Sequence, residues 1–396
     1  MYDVAVIGGG PVGSRVASRL AEMGHGVVVI EKKESLAEPV CCTGIISQEC
    51  VSRFAIDESV IIRPANSAKV FSPSGKLLYL KRQEPQACIV DRPAFNVYLA
   101  RLAQDRGVEY LLNSAVKDID VQVDRVRIEA GRRWVGAGAL EARTAVIAAG
   151  SGSKLVEGLG LGRVADFAMG VQATVETAGL DEVEVYLGRK IAPALFAWLA
   201  PVSPRRALVG LMARYRAGFY LKRLISSLAA EGKIVSPEAE LSFAPVPLKP
   251  LSRTYRDRVI VVGSAAGQVK PITGGGIYYG LLCADIAADN LHKALENDNL
   301  SAKSLSLYEK GWKRKLGREI QLGYWGRKFY ELLSDRQIDS IFDIIKSNGI
   351  DEALLKSPDL SFDWHGKVML KLVGHRALAR TFEMIRLPFP SGRSEG

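Results

Sequence analysis

The chain has 396 residues, of which 48% are hydrophobic and 24% are charged, proportions that are ordinary for a folded globular protein and exclude a disordered one. Its formal net charge is +10, but no nucleic-acid recognition module is readable in it, so we expect no nucleic-acid partner. A strand pattern begins at residue 2 and the longest apolar run, 191–202, is too short to cross a bilayer, so we expect a cytoplasmic protein without a signal peptide.

The first predicted element is a βαβ unit at the N-terminus. Residues 2–7 form an apolar strand, a Gly-x-Gly-x-x-Gly turn opens a helix, and residues 27–30 form a second strand that ends in an acidic residue. These glycines permit a tight turn and close approach of a pyrophosphate, and the acidic residue accepts a ribose hydroxyl, which suits FAD or NAD. The predicted dinucleotide-binding residues are Gly8, Gly10, Val12, Gly13, Glu31 and Lys32.

The middle of the chain then alternates between hairpin, helix and strand patterns. The predicted elements are hairpin strands within 68–90, a helix at 93–106, strands at 108–113 and 144–149, strands at 183–188, 195–200 and 206–213, and a helix at 216–230. The strands between 165 and 248 alternate polar and apolar residues, which favours an antiparallel sheet. From residue 300 onward helical periodicity dominates, and no proline occurs between 271 and 358.

We therefore predict an α/β fold in three parts. A discontinuous, Rossmann-type dinucleotide-binding domain spans 1–165 and 249–300, an antiparallel-sheet substrate domain is inserted at 166–248, and 301–396 form a helical C-terminal region. Strands 68–90 are assigned to the first domain, with membership of the substrate domain as the alternative.

The segment 259–277 contains a second glycine-rich motif. It contains a buried strand, a small-residue turn, a loop stiffened by Pro271 and three glycines that start a helix. Three glycines let a flat ligand approach the backbone, and the free N–H groups at a helix start favour a negatively charged ring. Two such motifs, far apart in the sequence, indicate one extended cofactor that each motif binds at a different end.

Five segments together resemble the para-hydroxybenzoate hydroxylase class of flavoproteins and, within it, the geranylgeranyl reductase family. They are Pro39-Val-Cys-Cys-Thr-Gly-Ile45, Val90-Asp-Arg92 with Phe95, Pro193-Ala-Leu-Phe-Ala-Trp-Leu-Ala-Pro201, Pro271-x-Thr-Gly-Gly-Gly-Ile277 and Tyr308-Glu-Lys-x-Trp312. The likeness covers nearly the whole chain. It implies that the first domain is an FAD-binding domain and that the protein saturates isoprenoid chains.

The resemblance also implies roles for single residues. Cys42 is the expected catalytic residue beside the flavin, with Cys41 as the alternative if the register differs by one; an inert buried thiol is the other interpretation. The further cofactor-binding residues it implies are Cys42, Thr43, Gly44, Arg92, Val116, Gly150, Ser264, Gly275, Gly276 and Ile277. The implied walls of a substrate cavity are Phe196, Trp198 and Pro201, for which ordinary core packing is the alternative. Scattered cysteines and histidines give no metal-site spacing, so no metal is expected.

Two positions depart from the family pattern. The class usually carries an aspartate where this chain has Ala149, and another where it has Ser264. A neutral hydroxyl makes a weaker contact than a carboxylate. The departures therefore predict looser FAD binding and argue against NAD(P)H as the direct reductant.

The leading hypothesis is an FAD-dependent reductase of isolated C=C bonds in a polyprenyl lipid. One alternative is an FAD-dependent monooxygenase of an aromatic or terpenoid compound; another is a non-enzymatic, lipid-binding flavoprotein-like protein. Basic residues cluster with apolar ones at helical spacing in 308–328 and 367–386. Such faces suit either solvent, an acidic electron donor such as ferredoxin, or a peripheral contact with the inner face of the membrane.

Overall fold

The computed structural model describes residues 1–131, 139–357 and 360–373. The strands are β1 (Tyr2–Ile7), β2 (Val27–Ile30), β3 (Ile45–Ser47), β4 (Ile61–Ala65), β5 (Ser67–Phe71), β6 (Leu77–Lys81), β7 (Ala87–Val90), β8 (Glu109–Leu111), β9 (Val116–Val121), β10 (Val126–Ala130), β11 (Leu140–Ile147), β12 (Phe167–Glu176), β13 (Val183–Leu187), β14 (Phe196–Ser203), β15 (Arg206–Ala213), β16 (Ser242–Pro247), β17 (Tyr255–Arg256) and β18 (Val259–Val261). The helices are α1 (Pro11–Glu22), α2 (Gln48–Phe54), α3 (Arg92–Gln104), α4 (Leu155–Gly158), α5 (Ala217–Ala230), α6 (Ile277–Glu296), α7 (Ala302–Trp312), α8 (Arg318–Leu332), α9 (Asp335–Ser347), α10 (Ile350–Lys356) and α11 (Gly366–Val373).

The first sheet has the strand order β17-β18-β11-β1-β2-β8. The strands from β18 to β8 are parallel, whereas β17 is antiparallel to β18. β9 and β10 extend β11 as an antiparallel hairpin. Residues of α1, α3 and α6 cover one face of the central strands, and residues of β9 and β10 belong to the apolar cluster on the other face. Because both faces are covered, the central strands are continuously apolar rather than alternating.

The second sheet has the order β16-β12-β15-β14-β13-β5-β6. It was expected to be antiparallel, but β13 pairs with β5 in parallel. This pairing arises because the hairpin β5–β6 comes from an earlier part of the chain and joins the far edge of the inserted sheet. The α/β fold with a Rossmann-type unit, an inserted sheet and a helical C-terminal region is otherwise confirmed by the elements above. The limits of the three parts stay a prediction.

The two faces of the second sheet have different neighbours. α5 packs on one face through an apolar cluster that includes Leu199 and Leu211. The other face carries Trp198, Met212 and Val246. An added Cβ on Gly274 would lie 2.7 Å from the Met212 sulfur and 3.0 Å from Val246. This second face therefore looks onto the glycine-rich loop before α6.

The C-terminal helices pack on both large sheet units: α7 and α8 join the core cluster of the first sheet, and α9 packs against β6 of the second through Ile338, Phe342 and Leu78. The apolar stripe of α7 and α8 is almost fully buried in the core cluster, and its members are Tyr308, Trp312, Leu316 and Ile320. This stripe is thus unavailable for a membrane or a partner. A π-helical segment, Lys313–Gly317, joins the two helices. Part of the second basic cluster lies outside the described residues, namely Arg376, Arg380 and Arg386. In the part of the chain that the structure describes, every helix is too short or too polar to span a bilayer.

Candidate functional site

The start of α1 is built from glycines that its packing requires. An added Cβ on Gly13 would overlap the carbonyl oxygen of Gly8, and one on Gly8, at φ +106°, would lie 2.5 Å from the Ala148 oxygen. Gly10 precedes the helix, has open space around it, and makes no side-chain cap. The N–H groups of the first turn are therefore free to receive an anion, which the helix dipole also favours.

Glu31 is held at the end of β2 by backbone donors. The Gly9 N–H donates to its Oε2 at 2.6 Å and the Lys33 N–H to its Oε1 at 3.0 Å, and the residue is only 8% exposed. A carboxylate has about four acceptor positions, so capacity remains for a ribose hydroxyl. The backbone N–H of Ser114 donates to the backbone carbonyl of Glu31 at 2.8 Å. Val116, the first residue of β9, follows two residues later and therefore lies close to Glu31. Lys32 is exposed.

Val12 joins the two helices that start at this edge of the sheet. An added Cβ on Gly263 would lie 3.1 Å from the methyl groups of Val12, and one on Gly280 would lie 2.5 Å from a Val12 methyl group. Only glycine at both positions lets α1 approach the turn after β18 and the first turn of α6 this closely. The side chain of Val12 is thus a packing element, while its backbone N–H belongs to the first turn of α1.

A buried hydrogen-bond chain fixes the turn after β18. The Gly263 N–H donates to Gln268 Oε1 at 2.7 Å, Gln268 Nε2 donates to the Tyr308 hydroxyl at 2.8 Å, and that hydroxyl donates to the Val261 oxygen at 2.9 Å. Gln268 and Tyr308 are fully buried, and sequence reasoning gave neither this role. The available signal was a lone glutamine in an otherwise apolar stretch. The chain orients Ser264, which lines a cavity of about 220 Å³ together with Gly150.

Arg92 begins α3 with an incompletely paired guanidinium group. Its Nε and Nη1 are buried and have no hydrogen-bond partner among the described residues, and its charge lies 5.4 Å from the centre of the Phe95 ring. Gly44, at φ +75°, packs closely against the chain at Val90 and Arg92: an added Cβ would lie 2.5 Å from the Val90 oxygen and 3.0 Å from Arg92 Cγ. A buried donor without a partner is costly, so these atoms fit a site that donates hydrogen bonds to a bound cofactor.

The cysteine loop is anchored to the second sheet. The Cys41 thiol donates to the Ser242 oxygen of β16 at 3.4 Å, and Thr43 Oγ1 donates to Gln172 Oε1 of β12 at 3.1 Å. Burial raises the pKa of the Cys41 thiol, which keeps it protonated at neutral pH. Cys42 is half-buried between these two anchors. The loop therefore lies against β12 and β16 of the second sheet.

The loop before α6 is closed by its own backbone. The Gly274 N–H donates to the Lys270 oxygen at 2.8 Å, and the Lys270 N–H donates to the Gly275 oxygen at 3.0 Å. Gly276 precedes the helix without a side-chain cap, and Ile277 is its first residue. The N–H groups at this helix start are therefore directed at the space above the loop, as they are at α1.

The predicted substrate residues do not share one face of β14. Phe196 and Trp198 lie together with ring centres 5.9 Å apart, and the buried Trp198 Nε1 has no partner among the described residues. The Trp198 ring fits against Gly210 of β15, where any side chain would overlap it. Pro201 is buried and, by strand alternation, shares the α5 face with Leu199. Its role in binding a substrate stays a prediction.

These features fit FAD. Two uncapped helix starts, α1 and α6, lie at the carboxyl edge of the parallel strands, where ligands of such sheets bind. Between them lie the unpaired guanidinium of Arg92, the glycines that bring backbone close, and the acceptor Glu31. Phosphates, ribose hydroxyls and a flat ring each find suitable groups there.

One group of possible metal ligands lies far from this edge. Among the described residues, His25, His292 and Glu296 place ligand atoms within 4.8 Å of one another, with His25 Nε2 2.9 Å from His292 Nδ1. They lie beside the start of β2 and the end of α6, at the opposite edge of the sheet from the glycine turns. That the chain needs no metal stays a prediction.

Comparison with known proteins finds similarity over most of the chain. Residues 3–346 match the protein family described as lycopene cyclase protein. The chain is 30% identical over 370 residues to a digeranylgeranylglycerophospholipid reductase of Methanocaldococcus jannaschii, covering 89% of this chain and 93% of the relative. It is also 30% identical to a second such reductase from Methanothermobacter thermautotrophicus, covering 86% of this chain and 90% of that protein.

Among solved structures, the fold resembles that of a geranylgeranyl bacteriochlorophyll reductase-like protein from Thermoplasma acidophilum. The TM-score is 0.83 at 23% identity, covering 97% of this chain and 99% of that one. A halogenase in complex with phloroglucinol and FAD has a TM-score of 0.67 at 15% identity, covering 95% and 86%. At these identities the structural likeness concerns the fold alone.

Proposed function

This chain belongs to the geranylgeranyl reductase family of FAD-dependent flavoproteins and also matches the family described as lycopene cyclase protein, and we propose that its substrate is a geranylgeranyl-bearing glycerophospholipid. It is an FAD-dependent oxidoreductase that saturates isolated C=C bonds of a polyprenyl lipid. The observation that carries the substrate proposal is the sequence identity to the two reductases over nearly the full length of each.

We assign the cofactor groups to the features described above. The α1 start with Gly10 binds the pyrophosphate, Glu31 accepts from the ribose, and the loop at Gly275 and Gly276 receives the flavin ring. Arg92 donates its free N–H groups to the cofactor from the other side. These contacts are supported by the uncapped helix starts and by the unpaired guanidinium.

The chemistry divides between cofactor and protein. Reduced FAD would supply a hydride to one carbon of an isolated C=C bond, and the other carbon would take a proton from an acid or from water. Phe196 and Trp198 form an apolar wall on the sheet face that looks onto the Gly274 loop, and this wall binds the prenyl chain and excludes water. We assign Cys42, on the loop anchored to β12 and β16, to the position beside the reacting carbon.

The test is the mass of lipids made with and without this protein. Cells that accumulate unsaturated archaeal-type lipids should yield products heavier in steps of two hydrogens when the wild-type chain is expressed. A Gly10→Asp variant, which fills the open space at the α1 start, should give no shift. Lipids that gain oxygen, or that stay unchanged while the protein carries FAD, would contradict the proposal.

The alternatives predict other outcomes. A monooxygenase would consume NAD(P)H rapidly in the presence of substrate and give a hydroxylated product. A non-enzymatic lipid carrier would be purified without flavin. Likeness in fold to halogenases and monooxygenases at 15–18% identity does not favour either.

We further propose that the protein contacts the membrane through the start of α5 and the edge strand β16. The exposed Phe and Tyr side chains of the described residues lie in this part of the chain, namely Phe167, Tyr215, Phe219 and Phe243. A groove of about 620 Å³ opens between Phe219, Phe243 and Lys222. Arg216 lies 4.4 Å over the Phe219 ring. Aromatic and basic groups together suit an anionic bilayer surface.

The site lies next to this surface. Phe243 directly follows Ser242, whose oxygen accepts from the thiol of the cysteine loop. Flotation with vesicles containing anionic lipid tests the contact. Phe219→Ser/Phe243→Ser should lose most binding, whereas Leu307→Ser, equally exposed on α7, should keep it. Equal losses in both variants, or equal binding to neutral vesicles, would contradict the assignment.

For the electron donor, we propose an acidic ferredoxin that docks on the exposed basic face of α7 and α8. The face comprises Lys310, Lys313, Arg314, Lys315 and Arg318. Lys315 lies 5.6 Å from the Trp364 ring, which contacts Tyr279 at the start of α6. Lys315→Glu/Arg318→Glu should slow reduction by ferredoxin at low salt but not reduction by dithionite. Lys117→Glu on β9 is the control, and the proposal fails if it slows reduction equally.

A further inference from the structure

A lysine ammonium is buried directly beneath the loop that starts α6. An added Cβ on Gly275 would lie 2.7 Å from Lys270 Cε and 3.2 Å from Lys270 Nζ. The side chain of Lys270 is only 5% exposed. A charge removed from water acts more strongly on its surroundings than one at the surface. The positive end of this helix start is therefore reinforced by a full charge.

The counterion comes from a segment close to the end of the described chain. Asp363 Oδ1 accepts from Lys270 Nζ at 2.7 Å, and the Phe362 oxygen accepts at 3.2 Å. The second carboxylate oxygen, Asp363 Oδ2, is buried and has no partner among the described residues. Asp363 itself is 1% exposed. The ion pair therefore uses one carboxylate oxygen of Asp363 and leaves the other available in the interior.

The neighbouring contacts hold this segment in place. The Tyr279 hydroxyl donates to the backbone carbonyl oxygen of Asp363 at 2.9 Å, and Trp364 Nε1 donates to the carboxylate of Glu49 in α2 at 2.9 Å. The Tyr278 hydroxyl also donates to Glu49. The segment that carries Asp363 is thus tied both to α6, which follows the glycine loop, and to α2, which follows the cysteine loop and β3 in the chain.

We propose that the positive charge of Lys270 stabilises negative charge on the reduced flavin ring. Asp363 partly offsets the charge of Lys270 and so sets how strongly Lys270 acts on the ring. The inference rests on the proposed position of FAD and goes beyond it, because it assigns the control of reduction potential to two residues that are not among the predicted cofactor-binding residues. Both are positioning residues that act through the Gly275 backbone. A lipid alkene is a poor hydride acceptor, so the potential of the donor matters for the reaction.

The two residues make opposite contributions, and this gives a test. Lys270→Met removes the cation and leaves the carboxylate, so the reduction potential should fall. Asp363→Asn removes the anion, so the potential should rise. Each shift should be about tenfold in the redox equilibrium, about 30 mV for a two-electron couple. A pair that only braced the loop would not move the potential in opposite directions.

The experiment is spectroelectrochemical titration of the purified, FAD-loaded protein, with FAD affinity measured by fluorescence. The control is the ion pair of Lys233 and Glu184, 2.9 Å apart in the second sheet unit; Lys233→Met and Glu184→Gln should leave the potential unchanged. If the single variants do not fold, the exchanged pair Lys270→Asp/Asp363→Lys retains an ion pair and should lower the potential. Shifts of one sign, no shift, or equal shifts in the controls would overturn the inference. A wild-type chain that binds no FAD would instead overturn the proposed function.

Discussion

The two ends of the cofactor site are built differently. At the α1 end, glycines, a helix start and Glu31 come from the first βαβ unit, with Ala148 as the main outside neighbour. At the α6 end, the loop is supported by Lys270, by β15 and β16 of the second sheet, and by the segment around Asp363. The first end is local and steric, whereas the second is assembled from distant parts of the chain.

This difference separates what each end contributes. The steric end binds a part of the cofactor that is the same in every FAD protein, and it has little to adjust. The assembled end meets the reacting ring, and each supporting segment can change its charge or shape independently. Substitutions should therefore abolish binding at the first end and tune reactivity at the second.

The largest effect is expected for Gly13→Ala, which breaks the steric end. The new methyl would overlap the Gly8 oxygen, so α1 must move away from β1 and the protein should lose several kcal/mol of unfolding free energy, with FAD affinity down by about 100-fold or more. Gly10→Ala meets no atom within 4 Å and should leave the melting temperature of the apoprotein unchanged. Calorimetry and FAD titration measure both; equal melting temperatures would show that the overlap is relieved without cost.

At the assembled end, Cys42→Ser should lower the rate of lipid reduction by about 100-fold, the lower end of the range for a lost general acid or base. FAD affinity should change little because the loop anchors remain. Cys41→Ser is the matched control, since its thiol is already tied to Ser242 and protonated. Single-turnover kinetics after anaerobic reduction give the rates. If the two variants behave alike, the Cys42 thiol is an inert packing residue.

A pH-dependent effect is expected from His365, which lies in the segment that braces the same end. Burial, and then the nearby Lys270 ammonium, lower the pKa of His365 to about 4. The unfolded chain therefore binds the proton more tightly between pH 6.5 and 4, so stability is lost as the pH falls through that window. The loss should be about 2 kcal/mol for this partly exposed ring.

Urea denaturation at pH 7 and pH 4.5 compares wild type with His365→Gln. The charged groups that act on the imidazole, Lys270 and Asp363, remain in both proteins, as does Glu319, which accepts from the backbone N–H of residue 365. The variant should lose less stability than the wild type over this interval. An identical loss would show that the imidazole is protonated in the folded state too.

The smallest effect is expected at the substrate wall. Trp198→Leu should raise the KM for lipid about fivefold, because apolar area at the wall decreases while FAD is untouched. Val185→Ala on the neighbouring strand β13, which pairs with Trp198, controls for general loosening of the sheet. Steady-state assays in detergent micelles measure both, and a change in kcat alone would place Trp198 outside the lipid site.

The sequence predicted the steric end well because its signals are contiguous. The spacing of Gly8, Gly10 and Gly13 with Glu31 after the next strand specifies both the βαβ unit and its ligand class. The family resemblance added the ring loop and the cysteine loop. The alternation of polar and apolar residues likewise predicted β13, β14 and β15 of the inserted sheet, but not β12 or β16.

What the sequence missed depends on contacts between distant residues. The parallel pairing of β13 with β5 joins segments more than a hundred residues apart, and strand periodicity carries no information on the partner. The Lys270–Asp363 pair spans 93 positions, and a lone aspartate near the C-terminus has no distinguishing neighbours. The apolar stripe of α7 and α8 was compatible with a surface role until packing placed it in the core.

The strand order also sets the sequence of events during synthesis. β1 leaves the ribosome first, yet its neighbour β11 and the next strand β18 follow much later. The brace on the α6 loop is completed only when Asp363 has been made. The nascent chain thus exposes a dinucleotide turn long before a ring pocket exists. A chain that ends before residue 363 would form the dinucleotide turn without the carboxylate that pairs with Lys270 beneath the α6 loop.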